Sequence, residues 1–153
     1  SIDGILEKFV QLVKRYGINA IVISPWNCFD HKKPAGMSET EYVSRALTKL
    51  RRFARSHEIH LFLVAHPTKM TNSNRKDGEK EPVPTPYDVS GSAHFRNKAD
   101  SCLCVWRDLS QPDSCETEVY VQKVRFREVG RIGKVTLKFE PASGRFTDLW
   151  KQR

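Results

Sequence analysis

The chain has 153 residues, 39% hydrophobic and 29% charged, a balance that suits one globular domain and excludes disorder as a description of the whole. Its longest apolar runs, at 20–23 and 61–65, fall far short of the roughly 20 residues a membrane-spanning helix needs. Lys and Arg outnumber Asp and Glu by 26 to 18, a formal net charge of +8, which predicts attraction to polyanions that weakens with salt. A nucleic-acid partner and a merely solvated basic surface both satisfy that balance.

The first predicted element is a helix. Ile2, Ile5, Leu6, Phe9, Val10, Leu12, Val13 and Tyr16 recur at helical spacing, and Gly17 is placed to end it. Charged residues interrupt this stretch and no small-residue cleavage site follows, so a signal peptide is not expected. Residues 20–24, AIVIS, are too few for a helix and rich in branched side chains, which predicts a buried strand closed by Pro25. After a loop at 26–37, Ser38 and Glu41 are spaced as a capping box for a helix reaching about Ser56. Its apolar face carries Tyr42, Val43, Ala46, Leu47, Leu50, Phe53 and Ala54, and its opposite face Arg45, Lys49, Arg52 and Arg55.

Residues 59–65 read as a second buried strand, and strand, helix, strand with this crossover is the βαβ unit of a parallel sheet. The predicted class is therefore α/β. Residues 68–86 turn polar, charged and rich in Gly and Pro, a long mobile basic loop inserted within a single domain spanning 1–153. A short helical stretch at 92–99 leads to a third strand at 101–106. Residues 118–126 and 134–139 alternate around EVGRIG, and PASG precedes a short strand at 145–147, which predicts an antiparallel meander.

Ligands of parallel sheets bind beyond the carboxyl ends of the strands. That directs attention to Ser24 through Asn27, to His66 through Lys69, and to Arg107 with Asp108. His66 is placed either to donate to a phosphate or to be satisfied by local backbone. Lys69, Arg75, Lys76 and Lys80 would track a phosphate backbone or line a solvated tether. Lys123, Arg125 and Arg127 alternate, so a strand would put these cations on one face beside an anionic ligand or partner carboxylates. An arginine finger is one use of such a cation. The four cysteines contain no C-x-x-C pair and no zinc-type spacing with the five histidines, so neither a disulfide scaffold nor a metal site is expected. A reducing cytoplasm is the expected compartment. No G-x-x-x-x-G-K-[ST] phosphate loop occurs, since Gly133-Lys134 is followed by Val135.

In order, AIVIS with PWN, LVAHPTKM, PYDVSGSAHFRNKADSCLCVWRD and VQKVRF resemble four segments of one family. They are similar to the carboxyl-terminal half of the RecA-like motor of hexameric replicative helicases, of the DnaB type and of bacteriophage primase-helicases. The resemblance covers nearly the whole chain. It implies a partial RecA-like core: a parallel sheet flanked by helices, the phosphate-loop half missing, with the antiparallel meander at the end. It implies part of an ATP-dependent replicative DNA helicase of the 5'-3' ring type, using ATP and Mg²⁺ in the parent protein, with neither bound tightly by this piece. Single-stranded DNA and self-association into a hexameric ring are the implied partners, in the cytoplasm of a bacterial or phage-infected cell.

By the same resemblance His66 senses the terminal phosphate, Arg125 is the finger acting in trans and Lys123 its companion. Lys69, Arg75, Lys76 and Lys80 face DNA. Ser24, Asn27 and Arg96 lie near the nucleotide. The Walker B aspartate is expected at position 24, where this chain has Ser24. An impaired site, an altered residue or compensation by Asp30 each fits that departure. The missing half predicts an exposed sheet edge, covered by the meander or by a second molecule. A non-catalytic nucleic-acid-binding or assembly module, and a RecA-like recombination or repair ATPase, are the alternatives, since the fold serves several functions.

Overall fold

The computed structural model describes residues 2–29, 31–68, 82–89, 93–108, 110–111 and 114–149. They fall into two compact units, one from Ser1–Thr68 and Val89–Ala99, the other from Lys69–Asp88 and Asp100–Arg153.

In the first unit α1 (Ile2–Tyr16), β1 (Ala20–Ile23), α2 (Glu39–Ser56), β2 (His60–Leu63) and α3 (His94–Lys98) follow in order. Gly17 stops α1 as expected: it takes the left-handed conformation at φ 62° while its N–H closes onto the Val13 carbonyl at 2.9 Å. Ser38 caps α2 by accepting the Glu41 N–H at 3.2 Å. The reciprocal half of the capping box is replaced, because the Glu41 carboxylate accepts from Arg45 Nη2 at 2.7 Å instead. A charge-assisted partner one turn on competes well against a neutral backbone N–H at an exposed helix start.

The strands β1 and β2 pair in parallel, with Ile21 opposite Leu61 and Ile23 opposite Leu63. These four side chains join Leu6, Val43, Ala46, Leu47, Leu50 and Phe53 in the core, so the helices α1 and α2 cover one face of the pair. The other face differs from expectation. Val22 is 63% exposed and Phe62 46%, so each strand is buried on alternate residues only. An apolar run by itself does not say whether both faces are covered.

The second unit is a sheet in the order β3 (Ser101–Trp106), β4 (Glu116–Val124), β5 (Gly133–Glu140), β6 (Arg145–Asp148). All its pairs are antiparallel, so the expected meander is present. The third strand is its first member, with β4 as its antiparallel neighbour. Gly144, at φ 67°, closes the β5–β6 turn through its N–H to the Glu140 carbonyl at 2.8 Å. The fold class is the expected α/β with antiparallel strands at the carboxyl end. No helix of the described residues is long and apolar enough to cross a membrane.

Candidate functional site

The carboxyl end of the parallel pair is built by continuing its ladder beyond the strands. Val64 N–H donates to the Ile23 carbonyl at 2.9 Å, and Trp26 N–H donates to the Val64 carbonyl at 2.7 Å. Ser24, joined to Pro25 by a cis peptide, and Asn27, in a short 3₁₀ turn at Trp26–Cys28, therefore leave β1 beside the segment that carries His66 from β2. All three are exposed. Beyond His66, Pro67 forms a bridge with Val89.

Trp26 anchors this edge. It is 5% exposed, and its ring meets Phe95, the neighbour of Arg96, edge-on at 5.5 Å. His31 pins the same loop from outside, with Nε2 2.9 Å from the Trp26 carbonyl and Nδ1 3.2 Å from the Tyr42 hydroxyl. A carbonyl only accepts, so Nε2 bears the hydrogen. In the neutral ring Nδ1 then accepts from Tyr42. The structure thus brings Ser24, Asn27 and His66 to one sheet edge and ties α3, bearing Arg96, to it through Phe95. Sequence reasoning missed the Trp26–His31–Tyr42 assembly; the signal available was an aromatic and a histidine in the loop directly after an apolar strand.

A groove of about 220 Å³ opens beside this assembly, lined by Trp26, His31, Lys33, Glu39, Tyr42 and Val43. Ligand pockets generally run from about 300 to 1,000 Å³, so this space suits waters or a side chain better than a nucleotide. No cluster of His, Cys, Asp and Glu among the described residues is arranged to hold a metal ion. Ser24 offers only a neutral hydroxyl at this edge, and Asp30 lies outside the described residues. These residues do not by themselves make a Mg²⁺ site.

In the second unit Lys123 lies opposite Cys102, where a register shift between Cys102 and Leu103 gives β4 one extra residue. Arg125 is one residue past the end of β4. Its N–H donates to the Asp100 carbonyl at 2.8 Å, and its Nε is 2.8 Å from Asp100 Oδ1. The expectation that Lys123, Arg125 and Arg127 share a strand face fails at this point: β4 stops at Val124, and Arg127 begins a 3₁₀ turn at Arg127–Val129. β4 ends before Arg125, whose side chain pairs with Asp100. The loop cations Lys69, Arg75, Lys76 and Lys80 lie outside the described residues.

Other charged groups of this unit have local causes. The Asp88 carboxylate accepts from the Thr85 N–H and hydroxyl, each at 2.7 Å, which holds its pKa below the ordinary value. Tyr120 donates to Glu118 at 2.5 Å and Lys134 to the same carboxylate at 2.7 Å. Both bonds favour the protonated donor, so both pKa values are raised. Burial pushes the Cys104 thiol up. All four cysteines are free.

No family model matches the chain. It is 40% identical over 150 residues to the Twinkle homolog protein, chloroplastic/mitochondrial, of Arabidopsis thaliana, a match covering 97% of this chain and 20% of that protein. A solved structure described as a DnaB-like replicative helicase and its interactions with primase superposes with a TM-score of 0.75. That match covers 97% of this chain and 35% of the other at 22% identity. The chain thus spans about a fifth of the length of the curated relative it matches. The fold is RecA-like, and the resemblance to DnaB-type helicases read from the four sequence segments stands.

Proposed function

We propose that the chain is part of an ATP-dependent, ring-forming replicative DNA helicase, contributing a phosphate sensor, a DNA-binding loop and a finger that acts on a neighbouring subunit's nucleotide. The observation that carries this reading is the shared carboxyl edge of β1 and β2, held by the Trp26 and Val64 backbone bonds, where Ser24, Asn27 and His66 converge. That is where open α/β sheets bind ligands. The likeness to a solved DnaB-like helicase supports the same reading.

In this scheme His66 donates a hydrogen bond to a terminal phosphate at the sheet edge and couples its presence to the chain beyond Pro67. Lys69, Arg75, Lys76 and Lys80 follow on that chain and neutralise phosphates of single-stranded DNA. Arg125, oriented by Asp100, stabilises charge on the transferring phosphoryl group of a neighbouring subunit, with Lys123 beside it. Arg96 contacts nucleotide or the subunit interface. ATP and Mg²⁺ belong to the parent protein, whose remaining residues supply the phosphate loop and the metal's carboxylate. A reducing compartment suits the free cysteines; the plant relative's printed location adds organelles to the cytoplasm as candidates.

The test uses the parent protein. Arg125→Ala is expected to lower ATP turnover on the order of a thousandfold while nucleotide binding persists, and His66→Ala to uncouple turnover from DNA stimulation. Rings mixing Arg125→Ala subunits with subunits unable to bind nucleotide should regain turnover, since each supplies what the other lacks. Undiminished turnover in Arg125→Ala sinks the finger assignment. The second reading, a non-catalytic nucleic-acid-binding or assembly module, draws on Ser24 standing where a metal-holding aspartate is expected. DNA binding with no turnover in the intact parent would favour it. Turnover with strand exchange instead of unwinding would favour the recombination or repair ATPase.

A further inference from the structure

The outer face of α2 has no part in the scheme above. Its buried residues Val43, Ala46, Leu47, Leu50 and Phe53 occupy one stripe. At about 100° per residue, Arg45, Lys49, Arg52 and Arg55 fall within an arc of about 120° nearly opposite it. All four are exposed. Two carboxylates answer them: Glu41 pairs with Arg45 at 2.7 Å, and Asp3 of α1 pairs with Lys49. Arg52 and Arg55 form no ion pair among the described residues; Arg55 lies in the last turn, where a cation also suits the helix dipole, which asks for no cation at Arg45, Lys49 or Arg52.

From Arg45 to Arg55 the stripe runs about 15 Å along the axis, enough to follow about four nucleotides at 3.4 Å of rise per strand. We propose that this face binds the phosphate backbone of nucleic acid without regard to sequence, as a contact separate from the loop at 68–86. Three of its four cations are arginines, whose planar forks suit phosphate oxygens. The chain's +8 charge supplies the longer-range attraction. The two existing ion pairs are exposed and weakly held, so Arg45 and Lys49 can exchange their carboxylates for phosphates, while Arg52 and Arg55 need release nothing.

The experiment titrates a labelled single-stranded oligonucleotide and a duplex with the 153-residue chain, by fluorescence anisotropy over a range of salt. The R52E/R55E double variant is compared with a loop variant, K69A/R75A/K76A/K80A. R52E/R55E is expected to weaken binding at least tenfold and to reduce the slope of log K against log salt by about 1.4 on single strands or about 1.8 on duplex, two phosphates' worth. R52K/R55K should retain much of the affinity. Circular dichroism melting unchanged within a few degrees shows that the exposed substitutions leave the fold intact.

An R52E/R55E chain with unaltered affinity and slope overturns the proposal whatever the loop variant does. So does an R52E/R55E defect that appears equally with polyglutamate as ligand, which would assign the stripe to acidic protein surfaces. The loop variant separately tests the DNA-loop assignment, so either contact can fail alone.

Discussion

Ser24 and Arg125 are the residues on which the functional reading turns, and each departs from the simplest version of its role. A hydroxyl at position 24 cannot supply the charge of an aspartate. Arg125 is a cation already engaged by Asp100. An exposed pair of this kind contributes little to stability; in the proposed scheme it orients the guanidinium. Asp100→Asn in the parent is expected to reduce ATP turnover, by less than Arg125→Ala does, while the melting temperature of the 153-residue chain stays nearly unchanged.

Asp88 gives a residue-scale prediction with a definite sign. Its folded pKa is held below the ordinary carboxylate value by two bonds from Thr85. The unfolded chain therefore takes up the proton first on acidification. The stabilisation is present above the ordinary carboxylate pKa and is lost as pH falls through the lower folded value. A carboxyl carbon titration should place the Asp88 midpoint below the ordinary aspartate value, and Thr85→Val should move it upward.

At the scale of elements, α2 carries more than its share of the first unit, since it supplies core residues inward and cations outward. Its start is fixed by Ser38, and Ser38→Ala should cost about 1 kcal/mol in urea unfolding. Glu41→Gln should cost only about 0.3–0.5 kcal/mol, because its carboxylate serves an exposed i,i+4 pair with Arg45.

The same helix shows what the sequence reveals about elements. The stripe of Val43, Ala46, Leu47, Leu50 and Phe53 was legible because helical spacing alone puts those residues on one face. That the Glu41 side chain turns to Arg45 was not, because two local partners of similar worth were available. In β4 the alternation of Lys123, Arg125 and Arg127 suggested one face, but strand length is set by pairing. The bulge opposite Cys102 and the contact with Asp100 are both contributed from β3 and its approach, remote in sequence.

For the whole molecule, each unit has, among the described residues, apolar side chains on a sheet face in contact with water. Val22 and Phe62 are exposed on the parallel pair, and Leu103 and Val105, at 59% and 72%, on the antiparallel sheet. Isolated apolar residues on surfaces are ordinary; contiguous ones signal a partner. Because the 153 residues contain no G-x-x-x-x-G-K-[ST] sequence, the chain alone is expected to show no Mg²⁺-dependent ATP turnover above background in a phosphate-release assay. Robust turnover would overturn the division of labour proposed for the parent.

Periodicity, caps and turn glycines by themselves marked the helices, the strands and the turns between them, since each depends on neighbours within a few positions along the chain. The four ordered segments likewise carry the family resemblance in the sequence itself. Only the tertiary structure decided which strand faces are covered, that Trp26 and His31 lock the edge carrying Ser24, Asn27 and His66, and that Asp100 holds Arg125. Those outcomes come from contacts between residues far apart in sequence, chosen by competition for partners and for burial, and no local pattern records who wins that competition.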